Sequence, residues 1–522
     1  MNQAPTLSTF MRQAARRFAA RPCLVDGPRR WSYREFSELC DRIACGLAAR
    51  LAPGTRIAIF LANSAECLLL QLAVERAAMV RVPINARATT PDVGMALGDC
   101  NAAALFYDSA TRARAQESAA EFPGLWMAQV NGDDAVDGPC WASLLQSSLT
   151  PEILDRAQLE DLGSINYTSG SSGRPKGVML SHRNWLAVCR NMLIDRDIRH
   201  DDTLAHVGPL THASGTYFVP WFLRGACSVL VPGGTVDQLL RCIEEQRVTV
   251  FTCVPTFLTR LVNYADIDRH DLSSLRAIGY GAEPIPKNTL EKALKRFGPI
   301  LTQNFGLTEA MMTVTTLAPR DHFTAGSDDG AGELRIGCIG RPYTMVEVVI
   351  RAPDGTPVAV GESGELTVRS EHVMQGYWNM PEETARTVRE GWLWSGDLAR
   401  QDAGGLITLV GRSKEMIISG GFNIYPQEVE ARLTAHPLVI EAAVVGVPDA
   451  DWGEAVVAFV TPVPGATLDA QTLTAYCKPA LGLRTPKRFL FLDTLPKNMN
   501  NKVDKRALKA SLALKGESHG CA

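Results

Sequence analysis

Residues 167–178 read YTSGSSGRPKGV. From position 168 onward the stretch holds four hydroxyl side chains (Thr168, Ser169, Ser171, Ser172), three glycines (Gly170, Gly173, Gly177) and Lys176. Glycines let a backbone come close to a ligand, and successive N–H groups in such a loop form a concave nest for an anion. The hydroxyls add donors and the ammonium adds charge, a set suited to nucleotide phosphates. It is not a Walker A loop, because Lys176 precedes Gly177 instead of standing between a glycine and a Ser or Thr. A bare surface turn would need none of these residues in such number.

The elements that must hold this loop follow from the pattern around it. Residues 164–167 read as a strand leading in, and a helix is expected to begin near Ser181. RIAIFLAN (56–63), VRVPIN (80–85), VTVFTCVP (248–255), RAIGYGAEP (276–284) and ILTQNFG (300–306) are short apolar runs bounded by Gly, Pro or Asn. AECLLLQLAVERAAMV (65–80) reads as a helix. Strand–helix alternation predicts an α/β fold with mostly parallel sheets covered on both faces, and ligands bind at the carboxyl ends of such strands. From about residue 330, GELRIG, MVEVVIRAPDGTPV, GELTVRS and GLITLVGR predict a β-rich subdomain. Beyond Arg412 a small α+β unit is expected, with a helix in PQEVEARLTAHP and a strand in EAAVVGVP. The domain division is therefore 1–412 and 413–522.

Bulk properties exclude several classes. A chain of 522 residues with 46% apolar and 21% charged residues is an ordinary globular protein of two or three domains. A net charge of −3 offers no field for nucleic acid, and no apolar run is long enough to span a membrane. The first 25 residues are basic and free of acids, as in a transit peptide, but Phe10, Ala14, Ala15 and Phe18 have helical spacing and predict a folded helix. Thirteen cysteines without a C-x-x-C pair argue against zinc and against a disulfide framework, so a reducing cytoplasm is expected. Cys23, Cys189 and Cys253 read as small core residues. A monomer or homodimer is expected.

Further motifs occur in order. These are PLTHASG (209–215), GYGAEP (279–284), QNFGLTE (303–309), GESGEL (361–366), WLWSGDLA (392–399), LVGRSKEMIISGGFNIYPQEVE (409–430) and LPKNMNNKVDK (495–505). Together with the loop at 167–178 and the SHRNW that follows it, they resemble the adenylate-forming superfamily, which contains acyl-CoA synthetases, luciferases and peptide-synthetase adenylation domains. The resemblance covers essentially the whole chain. It implies a large N-terminal domain, a small mobile C-terminal domain, and a site between them that uses ATP and Mg²⁺. By that likeness Thr168, Ser169, Gly170, Ser171, Ser172, Gly173 and Lys176 hold the leaving phosphates. Gly281, Ala282, Glu283 and Pro284, with Asn304, Phe305 and Gly306, lie along the adenine. Thr308 bonds the α-phosphate, Glu309 holds Mg²⁺, Asp397 and Arg412 take the ribose, Lys414 is the hinge and Lys502 is the mobile catalytic lysine. Asn304, Phe305 and Asn501 stand where glycine, tyrosine and glycine are common, and Lys414 where aspartate is common. Phenylalanine still stacks, and asparagine tolerates positive φ.

The chemistry implied is attack of a carboxylate on the α-phosphorus of ATP with loss of pyrophosphate. Two anions must meet, so catalysis rests on positioning and charge neutralisation, and the ionised nucleophile needs no side-chain base. His212 takes the place of the residue that walls the acyl pocket, and Tyr217, Phe218, Cys253, Phe257, Met311 and Met312 are further candidate linings. Ala213 stands where amino-acid-activating relatives carry aspartate, and no Arg or Lys in these stretches is available for a second carboxylate. A hydrophobic monocarboxylic acid is therefore expected. Gly420 and Gly421, with Trp452, resemble the pantetheine tunnel of the CoA-ligase branch and imply CoA as acceptor. For Trp452 the competing reading is simple packing. The alternative acceptors are an amino-acid amine, giving an amide, or a carrier protein. A nucleotide sensor with a decayed site would not retain Lys176, Glu309, Asp397, Arg412 and Lys502 together.

Overall fold

The computed structural model describes residues 4–132, 135–154, 156–168, 175–324, 332–449, 451–497 and 503–517. The helix Leu7–Arg17 opens the chain and buries Leu7, Met11, Ala14 and Ala15, a face slightly rotated from the one the Phe10 and Phe18 spacing predicts. An eight-stranded sheet follows. Its order is Gly376–Tyr377, Lys176–Ser181, Leu162–Thr168, Val80–Pro83, Arg56–Phe60, Ala104–Tyr107, Trp126–Gln129 and Ala135–Val136. The central strands run parallel and are buried on both faces, which is why RIAIF and ALFY are nearly continuous apolar runs.

Against this sheet lies the helix Ala65–Arg76, started by Ser64, whose side chain accepts from the Cys67 N–H. All twelve of its residues are buried. A helix covered on every side must be apolar or must pair its polar groups. Here Glu66 pairs with Arg29, Arg76 with Asp41, Gln71 with the Leu210 carbonyl and Arg81, and Glu75 with Arg81.

The second sheet has fourteen strands. Cys227–Leu230, Thr203–His206, Val250–Cys253, Ala277–Gly281 and Leu301–Leu307 form its parallel part. Ala310–Leu317 then turns back antiparallel. The expected β-rich region, Cys338–Pro342, Glu347–Arg351, Ser363–Arg369, Trp392–Gln401 and Ile407–Arg412, continues this same sheet rather than standing apart. GELRIG contributes only the bridge between Phe323 and Leu334.

A third, five-stranded sheet lies beyond Arg412. It contains the hairpin Ile417–Ser419 and Phe422–Ile424, the long pair Val439–Asp449 and Gly453–Pro462, and the strand Arg488–Phe491. The helices Pro426–Thr434 and Ala470–Leu481 bury Val429, Leu433, Leu473 and Cys477 in its core.

Between the glycine-rich loop and the helix expected near Ser181 lies one further strand, Lys176–Ser181. Val178 and Leu180 point into the core and Thr168 pairs with Lys176, so the loop joins two antiparallel strands. The helix His182–Asp195 starts only after Ser181, which forms a capping box with Asn184.

Among the described residues no helix is long and apolar enough to cross a membrane. No group of three or more His, Cys, Asp or Glu there could hold a metal. The twelve described cysteines are free thiols, nine of them buried. Cys23 and Cys189 are among the buried ones, and Cys253 is half-buried.

Candidate active site

Thr308 and Glu309 form the two-residue turn between the strands Leu301–Leu307 and Ala310–Leu317. Two glycines shape this turn and its neighbour. A Cβ on Gly306 would lie 2.5 Å from the Met312 Cα, and Met312 itself has φ 58°. A Cβ on Gly281 would lie 2.1 Å from the Asn304 carbonyl oxygen. Each glycine therefore permits a backbone approach that no side chain would allow. Next to Gly281, Ala282 is held at φ 72°. Ala282 and Pro284 are exposed, and Glu283 accepts from the Thr256 N–H (2.8 Å) and hydroxyl (2.6 Å).

Three carboxylates and three cations converge here. The Tyr377 hydroxyl donates to Glu309 Oε1 over 2.7 Å. The Lys176 ammonium sits 4.8 Å from the centre of the Tyr377 ring and pairs with Glu383. Glu383 comes from the short helix Pro381–Thr387. Its carboxyl is held below the usual range by the hydrogen bond from Lys176, with the charge of Lys414 acting in the same sense. Burial and the Glu309 carboxylate push the Tyr377 phenol up, so it stays protonated and donating. The second oxygen of Glu309 has no hydrogen-bond partner among the described residues.

Asp397 and Arg412 are register partners on adjacent strands, and Arg412 Nε donates to Asp397 Oδ1 over 3.0 Å. Asp397 is buried and Arg412 half-exposed. The field of Asp397 raises the Arg412 pKa, and Glu309 adds to it from nearby. Lys414 lies exposed in the turn Ser413–Glu415 just beyond.

A cavity opens beside the turn. Thr168, Thr308, His212 and Met311 line it, and Leu68, Val188, Phe218 and Val219 give it an apolar wall. Tyr217 and Phe257 are not among its lining residues. Tyr217 is buried edge-on against Trp221, and Phe257 packs with the core around Leu258 and Ile278. Asn304, expected along the adenine, is buried. It accepts from the hydroxyl of Tyr343 (2.8 Å) and from Arg196, and donates to the Tyr217 hydroxyl (3.3 Å). Phe305 is half-buried against the neighbouring core.

Gly420 and Gly421 are the turn of the hairpin Ile417–Ile424, with φ of 57° and 81°, as a tight two-residue hairpin requires. Trp452 packs over Gly420, whose Cβ would meet its ring at 2.7 Å, and Lys487 covers the same ring at 4.0 Å. Ser169, Gly170, Ser171, Ser172, Gly173 and Lys502 lie outside the described residues.

Sequence reasoning missed Tyr377, Glu383 and Arg81. Glu383 is 207 positions from Lys176, and no spacing rule connects them. The helix-start signal in PEET, a proline with acids in the first turn, was legible, but nothing local says where those acids point. Arg81 lines the cavity from the strand Val80–Pro83, outside the stretches that carry the pocket motif.

Residues 11–378 match the family described as AMP-binding enzyme, and residues 428–502 match the AMP-binding enzyme C-terminal domain. The chain is 36% identical over 477 residues to a feruloyl-CoA synthase of Amycolatopsis sp., covering 90% of this chain and 92% of that one. It is 33% identical over 498 residues to an indoleacetate–CoA ligase of Aromatoleum aromaticum, covering 93% and 94%. The amide bond synthetase McbA of Marinactinospora thermotolerans superposes with a TM-score of 0.87 at 29% identity, covering 97% of this chain and 99% of that one.

Proposed function

This chain belongs to the AMP-binding enzyme family, and we propose that it joins a hydrophobic monocarboxylic acid to CoA through an acyl-adenylate. The observation that carries the reading is the convergence of Lys176, Glu309 and the Asp397–Arg412 pair beside a largely apolar cavity. In the first half-reaction a carboxylate oxygen bonds to the α-phosphorus of ATP and the bond to pyrophosphate breaks. In the second, the thiolate of CoA attacks the acyl carbon and AMP leaves.

Roles follow from charge and place. Lys176 exchanges Glu383 for the leaving phosphates, and Thr308 donates to the α-phosphate. Asp397 accepts from the ribose hydroxyls and Arg412 steadies that carboxylate. Glu309 suits Mg²⁺, which is held by one or two carboxylates plus substrate phosphates and needs no full protein cage. Its free oxygen fits that donor set, and the ion would neutralise phosphate charge when bound. Gly281 and Gly306 let the backbone pack closely around the strand that carries Phe305, which is assigned to stack on the nucleotide base. Lys502 is assigned to the α-phosphate, delivered by a mobile unit of residues 413–522 that turns about Lys414. The same rotation would bring Gly420 and Gly421 to the acceptor. The twelve free thiols among the described residues suit a reducing compartment such as the cytoplasm.

A second acceptor is favoured by a specific likeness. McbA is named an amide bond synthetase, so an amine is the alternative nucleophile on the same acyl-adenylate. Mass spectrometry of enzyme, Mg-ATP and pooled hydrophobic acids, with no acceptor, CoA or pooled amines, separates the two. Acyl-CoA formed as acyl-AMP disappears supports the ligase. Amide without thioester would replace it. Lys502→Ala adenylating at the wild-type rate would overturn the assignment of that lysine.

A further inference from the structure

The cavity is not apolar throughout. Arg81 lines it together with Gln71, Glu75 and Asp92. Arg81 Nε donates to Glu75 Oε1 over 2.7 Å, and Nη1 donates to Gln71 Oε1 over 2.9 Å. The face of the Trp185 ring lies 4.2 Å from the guanidinium carbon. A guanidinium carries five N–H donors in a rigid fork. Two are used here, and among the described residues no hydrogen bond takes up those of Nη2. A buried arginine beside a cavity with donors to spare is a receptor for an acceptor atom, because leaving them dry is costly.

Its depth in the fold can be read from the sheet. Arg81 is the register partner of Ser164, four residues before Thr168 at the start of the glycine-rich loop. At roughly 3.3 Å per residue, Arg81 lies about 13 Å down the strand from the reaction end. Paired residues and alternate positions share a face, so Arg81, Ser164, Asn166 and Thr168 form one row beneath the helix His182–Asp195. The hydrogen bonds agree, since both Trp185 Nε1 (2.9 Å) and Asn166 Nδ2 (2.7 Å) donate to the Ser164 hydroxyl. Leu68 and Leu72 on one wall and Val188 and Cys189 on the other give the cavity apolar surface beside this row.

Charge decides what the far end accepts. Glu75 already offsets Arg81, and Asp92 adds a further negative charge to the lining. His182, beside Glu75, is buried, which lowers its pKa and keeps it neutral, and its Nε2 has no partner among the described residues. A second carboxylate here would add unbalanced negative charge beside Glu75 and Asp92.

We propose that Arg81 is a specificity residue that receives a neutral oxygen, hydroxyl, ether or keto, at the far end of a medium-length acid. This rests on the adenylation reading above and narrows its substrate class. The test is pyrophosphate exchange by the full-length enzyme with octanoic and decanoic acids, their ω-hydroxy and ω-methoxy counterparts, and the matching dicarboxylic acids. Wild-type enzyme should favour the oxygenated acid over the plain one in kcat/KM by at least about tenfold, as a hydrogen bond to a charged group implies, with dicarboxylates poorest. The paired substitution Arg81→Met with Glu75→Gln removes donor and counter-charge together, and should bring that ratio near one, chiefly through KM. A wild-type ratio at or below one overturns the inference without need of any variant. So does a ratio kept in the double variant, or a preference for dicarboxylates. Exchange with plain acids but no preference, or exchange with the pooled hydrophobic acids but none with this series, sinks only this inference, whereas no exchange with any acid of either set sinks the adenylation reading with it.

Discussion

The hydroxyl of Tyr377 donates to one oxygen of Glu309 over 2.7 Å, which fixes the carboxylate at the tip of its hairpin and leaves the other oxygen free. A turn carboxylate without that bond would sample several rotamers. We expect Tyr377→Phe to raise the KM for Mg-ATP and the Mg²⁺ concentration giving half-maximal rate, each by roughly tenfold, the worth of a hydrogen bond to a charged group. Mg²⁺ titration of pyrophosphate exchange reads both. An unchanged Mg²⁺ midpoint would remove Glu309 from metal binding or Tyr377 from its support.

Glu383 pairs with Lys176, so on the proposed role of Lys176 it would compete with the leaving phosphates for that ammonium. Glu383→Gln should therefore tighten ATP by up to about fivefold, since a partly exposed pair contributes up to about 1 kcal/mol. The sign of its effect on stability follows from the depressed carboxyl pKa. The pair stabilises the fold at neutral pH, and that contribution is lost as pH falls below the ordinary carboxyl range through the lowered value. Denaturant midpoints of wild type and Glu383→Gln should converge in acid. Weaker ATP binding in the variant would show that Glu383 positions Lys176 instead of competing for it.

Gly306→Ala tests the hairpin directly. Its methyl would overlap the Met312 backbone at 2.5 Å, so the strand pair must shift and carry Thr308 and Glu309 with it. We expect a stability loss of about 1–3 kcal/mol from overpacking, and a fall in kcat/KM for ATP of about a hundredfold from displacement of the turn. Gly94→Ala, in the helix Thr90–Cys100 with open space around it, should leave adenylation intact.

Acid should unfold the protein early. His206 is buried between Ser214 and Ser228, and burial pushes its pKa down to about 4. His372, with no partner for either ring nitrogen among the described residues, is pushed down to about 3, and His182 and His322 are lowered by the same cause. The folded state thus binds fewer protons than the unfolded chain below the ordinary histidine value. Stability is full above about pH 6.5 and falls as pH drops through that value, by up to about 1.4 kcal/mol per unit for each such group. Urea midpoints across pH 4.5–8 should show this slope. His372→Leu should lessen it, and a flat profile would contradict the burial of these rings.

What the sequence disclosed has a common character. Strands 56–60, 80–83 and 250–253 announced themselves as apolar runs, and the Gly420–Gly421 turn as a glycine pair. The partners Asp397 and Arg412 each stand in a motif legible without their register. What escaped is long-range. Lys176 meets Glu383 only because the strand Gly376–Tyr377 joins the sheet beside Lys176–Ser181. Tyr217 turned out to face Asn304 and Trp221, since motif position does not set the direction of a side chain on a short helical turn. Arg81 sat in an apolar strand where a charge reads as an edge feature, and its partners lie on a helix whose polar residues carry no visible amphipathic pattern.

That helix, Ala65–Arg76, constrains how this enzyme can change. Its four polar side chains are each anchored to a different neighbour: Arg29, the Leu210 carbonyl, Arg81 and Asp41. Replacing Gln71, Glu75 or Arg76 strands a buried or half-buried partner, so this wall of the cavity can move only by coordinated substitutions. Val188, Cys189 and Val219 on the facing helices have packing to adjust but no ion pair to break. Single-step adaptation to a new acid therefore has a preferred side. A lineage diverging from this sequence would widen or narrow the pocket from residues 188, 189 and 219 long before it altered the wall that holds Arg81.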